Sequence, residues 1–158
     1  MLHTGPTIRK RCRPKKGFCD RLRGGSAAWW PVRPILPISY KFDCDCEITI
    51  VTFTGAVTYD DITAHWDDIY SDAKVLDGGR ILIDMRKSMI EISKAEFVKL
   101  ATEVWPAERT GHLVMAVVVA NPKQFDSARQ FQLLAREGSP HQIFFDRSDA
   151  IRWLKRHH

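Results

Sequence analysis

This 158-residue sequence predicts a single α/β domain built on a mixed, mainly parallel five-stranded sheet with about four helices. Three observations carry that expectation. Two alternating apolar segments, Ile38–Asp43 and Ile48–Phe53, stand close together and read as an N-terminal β-hairpin. After them, helical periods alternate with short apolar runs, the pattern of β-α units in a parallel sheet. One of those runs, Leu113 to Ala120, is apolar throughout, as a strand covered on both faces must be.

The elements follow in order. Cys44-Asp-Cys-Glu47 is the hairpin turn, and Gly55 is expected to close the second strand. Thr58 precedes Asp60 and Asp61, so a hydroxyl N-cap and early acids mark a helix start. Ile62, Trp66, Ile69 and Ala73 form its apolar stripe, which stops near Gly78-Gly79. His65 borders that stripe and is expected to be half-buried packing. Arg80–Asp84 is short and apolar, a buried strand by length. Ser93-Lys-Ala-Glu96 is a capping-box pattern, followed at helical spacing by Phe97, Leu100, Ala101 and Val104. Trp105-Pro106 ends that helix, and the tryptophan is expected to cover core. Pro122 opens a third helix carrying Phe125, Ala128, Phe131 and Leu134 inward, ended by Gly138 and Pro140. His141–Phe145 is the last strand, and Asp149–His157 the last helix, with Ile151 and Leu154 facing inward. Right-handed crossovers are expected, with an antiparallel edge.

Charge divides the chain. Residues 1–37 hold nine Lys/Arg and one acidic residue, Asp20, a net +8, whereas residues 38–158 carry fifteen Lys/Arg against eighteen acids, a net −3. The leader, with Pro6, Pro14, Pro31, Pro34 and Pro37 and no lasting apolar period, is expected to be disordered. No methionine occurs between Met1 and Met85, so a start assigned too far upstream would also produce it. The domain proper is expected at 38–158. A mildly acidic domain argues against nucleic-acid binding by the fold itself. The longest uncharged apolar run has eight residues, against the roughly 20 a membrane span requires.

Catalytic and metal signatures are missing from the sequence. There is no His-Glu-x-x-His, Gly-x-Ser-x-Gly or glycine-rich phosphate loop. Cys12, Cys19, Cys44 and Cys46 match no common zinc spacing, and reduced thiols in a cytoplasm are expected. No cofactor is implied. Ligands of open α/β sheets sit beyond the carboxyl ends of strands, near a switch in strand order. The polar residues there are Asp84, Arg86, Asn121, Asp146 and Arg147. Arg86 and Arg147 are suited to a carboxylate or phosphate, with Asp84 orienting them; the plainer alternative is loop bracing by the aspartates and solvated arginines.

The sequence also resembles the bacterial STAS-like group with the SpoIIAA-like fold, whose lipid-binding relatives are the Sec14-type domains. The likeness spans about residues 38–156. It is carried by Thr54-Gly55-Ala-Val-Thr58 before Asp60-Asp61, by Ile81-Leu-Ile-Asp84-Met-Arg86, by the helix from Ser93, and by Asn121-Pro122 after the valine strand. Ile143-Phe-Phe-Asp146 and Ala150-Ile-Arg-Trp153-Leu complete it. The resemblance implies a small domain that binds a partner. In anti-sigma-factor antagonists of the group, a serine at a helix start is phosphorylated within Asp-Ser-Ser-Gly. Ser93 falls near that position, but Glu91-Ile-Ser-Lys94 lacks the surrounding motif. An N-cap role for Ser93 is the plainer reading. The overall expectation is a cytoplasmic, non-catalytic interaction module whose partner is another protein, contacted from Asp84 through Ser93. Two alternatives stand beside it. One is a carrier of a small anionic or lipid ligand, with a cavity between sheet and helices among Trp66, Phe97 and Phe131. The other is an enzyme with a polar pocket and a strongly perturbed titratable group.

Overall fold

A computed structural model describes residues 36–72, 79–105, 113–135 and 140–157. The leader apart from Leu36 and Pro37, together with Ala73, Gly78, Pro106, His112, Gly138 and His158, lies outside the described residues. The elements are β1 (Ile38–Asp43), β2 (Ile48–Val57), α1 (Tyr59–Ser71), β3 (Arg80–Ile90), α2 (Lys94–Lys99), β4 (Val114–Val118), α3 (Pro122–Leu134), β5 (His141–Phe144) and α4 (Arg147–Leu154). A π-helical turn, Leu100–Val104, continues α2.

The strands lie in the order β1-β2-β3-β4-β5, with β1 antiparallel to β2 and every other pair parallel. The fold class expected from the sequence is therefore the one observed. The strand order contains no switch: each strand pairs with the one before it in the chain. Crossovers of one hand that all step in the same direction put their helices on one face. Ile62, Trp66 and Ile69 of α1, Leu100 and Ala101 of the π-turn and Ala128 of α3 indeed share one core with Val51, Ile81, Ile83 and Met115. The chain changes face only after β5. Ala150 and Leu154 of α4 pack on Ile48, Ile50, Leu82, Ala116 and Val118.

Local chemistry explains most boundaries. Asp43 Oδ1 accepts from the Asp45 and Cys46 N–H groups and shapes the hairpin turn, where Glu47 takes φ +52°. Thr58 caps α1 in a reciprocal box with Asp61, as the sequence indicates. Pro37 is tied to the sheet, its carbonyl accepting from Thr54 N–H at 2.7 Å. Val114–Val118, between two parallel neighbours, is buried at every position but the first.

Five boundaries or orientations differ from expectation. Gly55, at φ +67°, does not close β2, which runs on to Val57 against Ile90. β3 runs to Ile90 rather than Asp84, because its extension keeps pairing with β2 after β4 has ended opposite Asp84. His65 is buried, not half-buried, at 8% exposure. Leu134 is exposed, since it lies beyond the stripe of α3 that faces the sheet. α4 begins at Arg147 because Asp146 accepts from the Ser148 and Asp149 N–H groups.

Candidate functional site

Two regions of the structure gather the residues of interest. The first is a cluster of charges where β3 and α4 meet. Asp84 lies on the α4 face of the sheet and is held in a bidentate pair by Arg86, Nε–Oδ1 2.9 Å and Nη2–Oδ2 2.7 Å. The same carboxylate accepts from Arg86 N–H at 3.2 Å. That guanidinium, with a smaller contribution from Arg147, holds the Asp84 carboxyl below the ordinary carboxylate range. Arg86 is raised in turn, chiefly by Asp84 and more weakly by Asp146. Asp146 is lowered by the N–H groups of Asp149 and Ser148 that it caps. Arg147 Nε is enclosed without a hydrogen-bond partner. Four of the five strand-end residues thus influence one another, but two carboxylates balance two guanidiniums, and Arg86 already has its fork filled.

Asn121 and Ser93 stand apart from that cluster in role. Asn121 Oδ1 accepts from Gln124 N–H at 3.0 Å and caps α3. Ser93 caps α2: its hydroxyl accepts from Glu96 N–H, and Glu96 Oε2 accepts from Ser93 N–H at 2.7 Å. The backbone N–H of Ser93 keeps the Glu96 carboxyl low. Between Arg86 and Ile90 the strand alone advances about 13 Å. The surface expected to run from Asp84 through Ser93 is therefore two separate features joined by the end of β3, which pairs there with β2 alone.

The second region was less visible in the sequence. Opposite Phe53 of β2, strand β3 places two residues, Met85 and Arg86: Thr52 pairs with Asp84, but Thr54 pairs with Lys87. This is a β-bulge, one extra residue that shifts the phase of the pleat. Before it, Ile81, Ile83 and Met85 point to the three-helix face; after it, Ile90 does so. The bulge frees carbonyls that no strand can satisfy, since β4 has ended. Gln124 of α3, 7% exposed, takes them: its Nε2 donates to Met85 O and Ser88 O at 2.8 Å each. Its Oε1 accepts from Ala120 N–H at 2.7 Å. The signal was available in principle, because Gln124, Ala128 and Phe131 share one helical face and only the first is polar.

Under the bulge lies an apolar cavity of about 80 Å³, partly open to solvent. Its floor is the sheet, through Phe53, Ile83, Met85, Met115, Val117 and Ile143. α1 contributes Ile62 and Trp66, and the segment after β3 contributes Ile90, Ile92 and Phe97. α3 adds Ala128 and Phe131. The π-turn brings Leu100 and Trp105 into the wall, with Trp105 N–H donating five residues back to Leu100 O at 2.9 Å. Trp66 and Trp105 meet edge to face at 4.3 Å between ring centroids, and Phe131 and His141 extend the cluster. Among the described residues, no Asp, Glu, Lys, Arg or Cys side chain borders the cavity. Trp66, Phe97 and Phe131, the bulky residues that had to leave room for a cavity, all border it.

The class these features define is an α/β domain with a five-stranded mixed sheet and an apolar cavity between sheet and helices. No protein-family model matches the chain, and no curated protein matches it. Among solved structures, it is similar to an uncharacterised Shewanella loihica protein of the DUF3478 family, described as having a SpoIIAA-like fold. The two share 17% sequence identity at a TM-score of 0.48, over 74% of this chain and 91% of that one. No helix among the described residues is long and apolar enough to cross a membrane.

Proposed function

We propose that this domain is a non-catalytic binding module that holds a small apolar molecule in the cavity between its sheet and α1, α2 and α3. One observation carries the reading: an apolar void of about 80 Å³ remains in an otherwise buried core, walled by rigid rings. Protein interiors close such voids when nothing needs them, because each forfeits dispersion contacts around its wall. The volume is about half of the roughly 150 Å³ in which an apolar cavity stays dry and takes up benzene. The occupant therefore enters with a narrow end and leaves the rest at the open side. The one serine of the wall among the described residues, Ser127, donates to Lys123 O on its own helix, and no charged side chain among them lines the cavity.

The test is a titration of the full chain with methylenecyclopentane, read through methionine methyl resonances. Met85 and Met115 border the cavity, while Met89 is 54% exposed and serves as an internal control. Binding moves the first two signals and leaves the third. Ala128→Leu, which fills the void from α3, abolishes the response. Equal responses from all three methyls, or undiminished binding by the filled variant, would overturn the proposal.

A further inference from the structure

We infer that the outer edge of β1 is a docking site for an extended, basic segment of a partner protein, which joins the sheet as a further strand. The inference goes beyond the cavity and does not depend on it. The register fixes which backbone groups are on offer. Thr54 N–H donates to Pro37 O, and β1 continues in the same frame, from Ile38 opposite Phe53 to Asp43 opposite Ile48. Hydrogen-bonded pairs alternate along an antiparallel ladder, so Ser39, Lys41 and Asp43 turn their N–H and C=O groups toward β2. Ile38, Tyr40 and Phe42 turn theirs outward. β1 ends the sheet, and no described residue bonds those outward groups.

The opposite edge is guarded. β5 is four residues long, and Pro140 O and Phe144 O accept from Met115 and Val119 on the side of β4. The carbonyl of His141 therefore faces outward, and Gln132 Nε2 of α3 donates to it. A short, plugged edge resists strand addition, whereas the six residues of β1 present a bare one. Charge selects the occupant. Residues 38–72 carry eight acids against a single Lys/Arg, Lys41. α1 has four aspartates and no Lys or Arg, and it lies along β1. The rings of His65 and Tyr40 meet at 5.4 Å between centroids, and the Tyr40 hydroxyl donates to Asp72 Oδ2 at 3.4 Å. Asp68, exposed one turn beyond His65, acts electrostatically on both rings. Side chains of an added strand that share the face of Tyr40 thus meet negative charge. On the other face the exposed Lys41 repels cations. The occupant therefore carries Lys or Arg at alternate positions, with uncharged residues between. A second copy of this chain fits poorly: joined antiparallel through β1, it would set α1 beside its own image, acid against acid.

The probe is the capped peptide Lys-Val-Lys-Val-Lys-Val-Lys, with the glutamate-for-lysine peptide as its counterpart, titrated into the full chain. The basic peptide is expected to bind at least tenfold more tightly and to slow amide exchange at Ile38, Tyr40 and Phe42. Asp68→Lys is expected to weaken it about three- to tenfold. Two N-methylated forms, blocked at the lysine or at the valine N–H groups, separate strand addition from simple charge attraction. Only one of those sets faces β1, so one form is expected to lose at least tenfold in affinity while the other keeps it. Phe42→Pro, which removes an outward N–H and spares the pairing with β2, is expected to weaken the peptide about three- to tenfold. Equal affinity of the two N-methylated forms, or of the basic and acidic peptides, would overturn the inference. Protection of the Ile38, Tyr40 and Phe42 amides before any peptide is added would overturn it too, because the edge would then already be covered.

Discussion

The two faces of the sheet are built from the same strands by opposite packing rules. On one face a single helix, α4, lays Ala150 and Leu154 over Leu82, Ala116 and Val118, with all five at 0% exposure. Small and aliphatic side chains fill that face, with Ala116 of the sheet and Ala150 of the helix in one cluster. On the other face, three helical segments bring Trp66, Trp105, Phe97 and Phe131 against Ile83, Met85 and Met115, and a void remains among them. Large flat rings meeting edge to face do not tile a curved sheet surface, and a bulge under them changes which strand residues point up. One face is closed, and the other, which carries the larger core, keeps a void.

The contrast is tested most strongly by making the same substitution on each side. Ala150→Leu forces three more carbons into the closed face and is expected to destabilise by about 2–3 kcal/mol in denaturant unfolding. Ala128→Leu, which projects into the void, is expected to stay within about 0.5 kcal/mol of the parent. Equal losses would mean the two faces are packed alike. A smaller effect is expected at the bulge. Gln124→Leu keeps the size of the side chain but leaves Ser88 O and Ala120 N–H without their partner and Met85 O with the Ser88 hydroxyl alone. A loss of about 2 kcal/mol is expected, with accelerated amide exchange around Ala120. Unchanged stability would show that the bulge is held by the sheet alone.

The smallest effect separates the faces by pH. His65, packed on the three-helix side between Tyr40 and Trp66, is pushed down to about 4 by burial, with Asp68 opposing weakly. The unfolded chain takes up this proton near 6.5 and the folded one only near 4. Stability is therefore full above pH 6.5 and declines as the pH falls from 6.5 toward 4. Solvent at the rim of α1 moderates the size, and a drop of about 1 kcal/mol between pH 7.5 and 5.5 is expected. In His65→Phe that drop should vanish. A drop that persists there would assign the titration to another group.

Much of the fold was legible because it is written in local chemistry. Thr58 with Asp61, Ser93 with Glu96, and Asn121 with Pro122 each announce a helix by groups a few residues apart. The apolar stripe Ile62, Trp66, Ile69 and the valine run of β4 mark burial by spacing alone. What stayed hidden depends on partners distant in sequence. Met85-Arg-Lys-Ser-Met-Ile90 shows no clean alternation because the bulge interrupts it, so the strand seemed to end at Asp84. The π-turn has no composition of its own; Leu100–Val104 reads as ordinary helix. Of the strand-end residues, Asp84, Arg86, Asp146 and Arg147 do come together, yet as a balanced network, and Asn121 serves as a cap. The cavity could be anticipated only as a question of whether the rings leave space, which depends on packing across four elements.

The monotonic order of the strands has a consequence for how the molecule is made. Every sheet partner of a strand is its immediate predecessor or successor in the chain, an order that allows the sheet to grow from one side as the chain is made. No strand has to wait for a distant segment to be inserted beside it, which keeps each loop to be closed as short as a parallel pairing allows. The three-helix face is then covered progressively, each helix arriving with its own strand. The other face stays bare until α4 emerges, and Leu82 and Val118 remain open to water until that late moment. The closing step belongs to eight residues, Arg147–Leu154, which act as the latch of a domain otherwise assembled in sequence.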